Sequence, residues 1–340
     1  MNAFRVWISG SAVFLLVALL ASACGSTPTT PTPPPPPPPP PPVVADPPTL
    51  SCSGELSRAT VNASGMSVTF EAPAASGGQG NVAVTCDPAS GSNFPIGSTQ
   101  VTCTATDSLN RSQSCSFLVT VARLPQLSRT RFVAFGDSIT AGEVTAPISG
   151  FLGTAGIVKQ VLVPSASYPT VLARSLQGRY SSQASTISVV NEGLGGEKAI
   201  NARNRFFSVL NNVRPEAVLL MEGYNDIPGG LDGAASGAAS EIRTMAAEAR
   251  LRGLRVFIAT LAPPRPGGSR AIAQVYVDDY NNRMRDVAAR EGAVLVDVYT
   301  ALRPEVTRYI GVDGLHPTEA GYAKIAETFF AAIQNNLEVR

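Results

Sequence analysis

Ser138 stands in the run Gly136-Asp137-Ser138-Ile139-Thr140, directly behind a short apolar segment, 131–135. His316 is the only histidine of the chain and follows Asp313 by three positions in Asp313-Gly314-Leu315-His316-Pro317. Hydrolysis through a serine hydroxyl needs a base that works near neutral pH, takes the hydroxyl proton and later returns it to the leaving group. It also needs a carboxylate that fixes the tautomer of that base and stabilises its charged form. Asp313 is spaced to fold back onto the His316 ring through a tight turn at Gly314. Two more polar, glycine-bearing segments accompany these: Asn191-Glu192-Gly193-Leu194-Gly195-Gly196 and Gly223-Tyr224-Asn225-Asp226. Taken singly each has a plain alternative, since a Gly-Asp-Ser can cap a helix and a Gly-x-Asn-Asp can be an ordinary turn. A metal centre is not expected, because one histidine with no Cys/His/Asp cluster makes a poor zinc site. No cofactor is expected either.

The elements that must position these residues follow from the hydrophobic pattern of 123–340. Strands are expected at 131–135, 187–191, 217–222, 255–260 and 293–296, and helices at 168–176, 197–210, 234–252, 275–291 and 318–335. Strands that are apolar throughout and joined by helical crossovers imply a parallel sheet buried on both faces. The expected fold is α/β, a doubly wound five-stranded parallel sheet of flavodoxin-like type. In such sheets ligands bind beyond the carboxyl ends of the strands. The first three polar segments each follow a strand, and the fourth is expected to follow the last strand and precede the last helix.

Together the four segments, in this order and spacing, resemble the SGNH hydrolases, also called the GDSL esterase/lipase family, over 130–338. The resemblance implies that Ser138 is the nucleophile and that Asp313 and His316 complete a triad. It implies an oxyanion hole built from the Ser138 N–H, the Gly196 N–H and the Asn225 side-chain amide. These residue types suit oxyanion binding, because glycine lets the backbone approach a substrate and asparagine is a neutral donor. Each preorganised donor is worth about 3 kcal/mol of barrier. The chain departs from the common pattern where Gly196 continues as Glu197-Lys198, and in the length of 143–167, which is expected to wall the substrate. The implied activity is hydrolysis of carboxylic esters through an acyl-enzyme. The substrate class stays open among small acyl esters, acetylated glycans and lipids. Acyl transfer by the same residues is an alternative, as is an inactive adhesion protein.

Residues 49–122 show no helical period. Segments 67–70, 82–86, 99–105 and 116–121 alternate or run with β-branched and aromatic residues, separated by Gly/Asn/Ser turns, which implies a small all-β sandwich. Four of the five cysteines, Cys52, Cys86, Cys103 and Cys115, fall here, and none lies beyond residue 115. An even set in an exported chain implies two disulfides, for which four cysteines allow three pairings. The motifs Phe94-Pro95-Ile96-Gly97, Val101-Thr102-Cys103-Thr104-Ala105-Thr106-Asp107, Cys115-Ser116-Phe117 and Val119-Thr120-Val121 resemble a hyalin-repeat domain. That implies an immunoglobulin-like sandwich of the extracellular adhesion kind, with a surface ligand as a further partner. In such a sandwich Cys52–Cys115 and Cys86–Cys103 are the favoured pairs.

Ahead of this lies an export signal at 1–24: Arg5, an apolar run at 12–21, and small residues before Cys24. The layout resembles a bacterial lipoprotein signal, which implies acylation of Cys24 and a membrane partner through that anchor. Residues 25–48 form a proline-rich linker in which 33–42 is unbroken proline, a stiff polyproline II spacer. The expected location is the cell envelope, lipid-anchored at the outer membrane or cell surface, or secreted if not lipidated. With a net charge of +1 and 15% charged residues, no nucleic-acid partner is expected.

Overall fold

The computed structural model describes residue 38 and residues 43–52, 54–147, 158–228 and 233–339. The signal segment and Cys24 lie outside them. The chain divides into two compact units, Met1–Ala45 and Asp46–Arg340, and only the second is described below.

The first part of that unit is all β. Strands β1 (Leu56–Thr60), β2 (Ala83–Asp87), β3 (Gly97–Thr106) and β4 (Ser112–Arg123) form a four-stranded sheet in the order β1-β4-β3-β2. Strict alternation on β3 buries Val101, Cys103 and Ala105 and leaves the residues between them more exposed. The second layer is slighter than a full sheet. It consists of two short ladders, Thr49–Leu50 with Ala75–Ser76 and Met66–Ser67 with Asn93–Phe94. Met66, Val68, Phe70 and Phe94 of this layer pack on Val101, Cys103, Val119 and Val121 of the larger sheet. The strand expected at 67–70 is therefore present only at its start. Both disulfides form as favoured: Cys52 joins Cys115, and Cys86 joins Cys103, its register partner across β2 and β3.

The second part is the α/β layer. Strands β6 (Arg131–Gly136), β9 (Ser188–Gly193), β10 (Ala217–Met221), β11 (Arg255–Ala259) and β12 (Val294–Val296) form one parallel sheet. Its order is β9-β6-β10-β11-β12. The inner strands are apolar because both faces are covered, and every residue of β10 is buried, whereas the edge strand β9 carries Asn191 and Glu192 and is only partly buried. Helices α2 (Tyr168–Arg179), α3 (Ala199–Val213), α4 (Ala234–Leu251), α5 (Gln274–Glu291) and α8 (Glu319–Leu337) supply the cover. On α4 the buried Ala238, Ile242, Met245 and Ala249 recur every three or four residues, the stripe of a helix lying on a core.

Three features depart from the sequence expectation. Between the single-turn helix α1 (Ser138–Ala141) and α2 the chain forms an antiparallel hairpin, β7 (Glu143–Pro147) with β8 (Val158–Leu162). Two short helices, α6 (Val298–Leu302) and α7 (Val306–Tyr309), separate β12 from the Asp313–His316 loop, so that loop does not follow the strand directly. Finally, β5 (Gln126–Leu127) pairs antiparallel with β13 (Glu338–Val339), clasping the entry of the layer to its exit. Ser128 N–H donates to Leu337 O at 2.9 Å, and the Gln183 amide holds both polar backbone atoms of Leu127.

Candidate active site

The strand order reverses direction at β6: the chain first crosses to β9 at one edge, then to β10 on the other side. This is the topological switch point, where loops at the carboxyl ends diverge and leave a crevice. The loops after β6, β9 and β10 meet there, and the 310–317 loop closes over them.

Ser138 opens α1. Asp137 is the N-cap of that helix, its Oδ1 accepting from the Ile139 N–H at 2.9 Å. The Ser138 Oγ lies 3.0 Å from His316 Nε2. On the other side of the ring, Nδ1 lies 2.6 Å from Asp313 Oδ2, while Asp313 Oδ1 accepts the N–H groups of Leu315 and His316 at 3.1 Å each. Burial raises the Asp313 carboxyl, but the bonds from the His316 ring and the two backbone N–H groups outweigh it and hold the group below the ordinary carboxylate range. Asp313 is thus an ionised acceptor at neutral pH. The proton therefore sits on Nδ1, and the Nε2 lone pair faces the serine hydroxyl.

The loop that carries this pair is tightly closed. Gly311 N–H donates to His316 O at 2.8 Å, and Ile310 bridges Pro317. Gly314 has φ +87°, and a Cβ there would lie 2.8 Å from the Ala271 Cβ and 2.9 Å from Arg265 O. Only glycine fits both the dihedral and the contact.

Gly196 and Asn225 come from neighbouring loops that are tied to each other. Gly196 has φ +76°, and its N–H has no protein acceptor among the described residues. The Asn225 amide donates one hydrogen to Glu197 O at 2.7 Å. Asp226 accepts the Ala199 and Ile200 N–H groups at 2.8 and 3.2 Å, supplying α3 with the cap that Lys198 does not provide. Arg205 braces the same region from α3. It pairs with Glu197, donates to Glu192 O at 2.9 Å and Gly136 O at 3.4 Å, and lies 3.9 Å over the Phe135 ring. Spacing along the chain gives no sign of this brace, which spans three loops.

Two acidic side chains under the site are buried with oxygens that lack hydrogen-bond partners among the described residues. Burial pushes the Asp137 carboxyl up to about 7, and its Oδ2 is unpartnered. Glu222, at the end of β10, is 3% exposed, both of its oxygens are unpartnered, and burial raises it well above the carboxylate range. Beside Asn225 opens a mainly apolar cleft of about 480 Å³, lined by Tyr224, Pro228, Ile272, Tyr276 and Leu315.

The hairpin β7–β8 adds two side chains that motif and spacing do not single out. Glu143 Oε2 is 3.9 Å from His316 Nε2, and the Gln160 amide nitrogen is 3.0 Å from the same atom. Both fall within 143–167, the segment expected to wall the substrate; only the strand register brings them to the histidine.

A hydroxyl, an imidazole and a carboxylate stand here in hydrogen-bonded series at the switch point of a doubly wound sheet, an arrangement able to support nucleophilic chemistry. The chain belongs to the GDSL-like lipase/acylhydrolase family, whose model matches residues 134–324, and is an enzyme of the esterase class. Residues 44–121 match the HYR domain. Esterase TesA of Pseudomonas aeruginosa is 26% identical over 160 residues, 47% of this chain and 76% of that protein. Among solved structures, the lipase/acylhydrolase from Enterococcus faecalis is 20% identical over 61% of this chain and 97% of its own, with a TM-score of 0.48. The acetylxylan esterase Axe2 from Geobacillus stearothermophilus is 20% identical over 61% and 94%, with a TM-score of 0.46.

Proposed function

We propose that this protein hydrolyses carboxylic esters through an acyl-enzyme on Ser138. The observation that carries the reading is the unbroken series from Ser138 Oγ through His316 to Asp313, at 3.0 and 2.6 Å. His316 takes the serine proton as Oγ attacks the ester carbonyl, then gives it to the departing alcohol. Water enters by the same base and releases the acid. Asp313 stays ionised and stabilises the imidazolium that forms in each half. The Ser138 and Gly196 N–H groups and the Asn225 amide receive the oxyanion. The cleft beside Asn225, lined by Tyr224, Ile272, Tyr276 and Leu315 together with Ser269 and Arg270, has room for the acyl group of a small ester or lipid.

Ser138→Ala and His316→Ala are each expected to abolish turnover of p-nitrophenyl acetate while leaving the circular dichroism spectrum intact. Substantial turnover in Ser138→Ala would overturn the assignment. Adding an alcohol acceptor to the same assay separates hydrolysis from acyl transfer.

Two disulfides and a HYR domain fit an exported protein. Cys24 is the proposed lipid attachment point, and the proline run then holds the enzyme away from its membrane. Labelling with a fatty-acid probe is expected for the wild type and not for Cys24→Ala; equal labelling of both would refute the anchor.

A further inference from the structure

The hydrogen bonds that His316 makes to Asp313 and Ser138 leave through Nδ1 and Nε2, at opposite ends of the ring. With the Cβ–Cγ bond these two contacts fix where the ring sits and leave it only a limited tilt. That tilt is narrowed further by any side chain that rests on a face of the ring.

Gln160 does. Its amide nitrogen is 3.0 Å from Nε2 and 3.5 Å from Nδ1. A donor on the in-plane lone pair of Nε2 would point away from the ring, and its distance to Nδ1 would exceed that to Nε2 by most of the ring's width. The near-equality of the two distances places the amide nitrogen over the ring face instead. Gln160 therefore does not compete with the Ser138 hydroxyl, which keeps the lone pair. An amide N–H over an aromatic ring face is a weak attraction.

The hairpin is built to deliver this contact. Thr145 is the register partner of Gln160 and Leu162 that of Glu143, so Glu143, Thr145 and Gln160 share one face. The root of β7 is pinned by α8, whose Tyr322 hydroxyl donates to Glu143 O at 2.6 Å. The Glu143 carboxylate packs so closely on Gly195 that a Cβ there would collide with its Oε1.

We propose that Gln160 is a positioning residue for ester hydrolysis: from the β7–β8 hairpin it covers one face of His316 and holds the ring in the plane that aims Nε2 at Ser138. The proposal rests on His316 being the base. It assigns the hairpin a part in the chemical step as well as in enclosing substrate.

The full-length protein contains a single histidine, so one imidazole spin system reports on the contact. Nuclear Overhauser effects are expected between the Gln160 side-chain amide protons and the His316 ring protons. Gln160→Ala is expected to lower kcat for p-nitrophenyl acetate roughly tenfold with KM changed less than about twofold, since misaimed groups slow the step without weakening binding. Gln160→Met, which restores a side chain of similar length over the ring, is expected to recover most of the loss. A Gln160→Ala variant with wild-type kcat, or with its effect confined to KM, overturns the proposal. His316→Ala in the same assay keeps the two readings apart: turnover surviving there removes the base itself, whereas its loss beside an unaffected Gln160→Ala removes only the cover.

Discussion

Asn225 donates one amide hydrogen to Glu197 O, which fixes the plane of the amide and leaves the other hydrogen available to a ligand. A donor held this way needs no reorganisation when charge develops on a carbonyl oxygen. Asn225→Ala is expected to reduce kcat by roughly 10²–10³ with a smaller change in KM, because the bond matters most once the oxyanion exists. Steady-state kinetics on a short-chain ester measures this, and an effect on KM alone would make Asn225 a substrate-orienting residue. At this scale the sequence is informative where chemistry is local. Asp313 and His316 sit in one turn, and Ser138 follows its strand directly. Glu143, Gln160 and Arg205 are not legible, since each reaches the site through strand register or a helix face. Glu222 is hidden differently: it ends the strand expected at 217–222, and nothing in the sequence marks that glutamate as buried, yet it is.

Among the elements, the five core strands and the five long helices lie within a few residues of where their hydrophobic pattern puts them. The hairpin leaves no such trace, because 143–162 lacks strict alternation. The helices α6 and α7 are only 5 and 4 residues long, too short for a period to show. The ends of β6 and β10 carry the acids with a consequence for stability. Asp137 and Glu222 both have folded-state pKa values raised by burial. For an acid shifted upward, the fold favours the protonated form. Its contribution is fully present below the ordinary carboxyl range and is lost as pH rises through the folded value, about 7 for Asp137. Stability is therefore expected to fall between about pH 5 and pH 8. Glu222→Gln, neutral and nearly isosteric, should raise the melting temperature more at pH 8 than at pH 5, by about 2–4 °C for each kcal/mol gained. Equal shifts at both values in a calorimeter would show that Glu222 is not protonated in the folded state.

At the scale of the molecule, the chain carries two separate cores. One is confined to residues between Leu50 and Val121, the other begins at Leu127. Neither needs the other to bury its apolar surface, and the second contains no cysteine. The fragment 123–340 is accordingly expected to fold without residues 1–122 and to hydrolyse small esters with kcat within about threefold of the intact chain, roughly 0.6 kcal/mol of barrier. Loss of activity in a folded fragment would show that the β region contributes to the site. The change from all-β to α/β is readable from the sequence, because alternation in β4 gives way to uninterrupted apolar runs from β6 onward.

Were the chain anchored through Cys24 as proposed, the clasp between Gln126–Leu127 and Glu338–Val339 would have a mechanical meaning. Drag on a chain so anchored would enter the α/β layer at Gln126. There the chain is already laced to the far end of α8 and to Gln183, so the pull is shared before it reaches the first core strand. Ser138 stands beyond the opposite end of that strand, a full sheet length from the point of attack. Such a pull would load the seam and leave Ser138 slack.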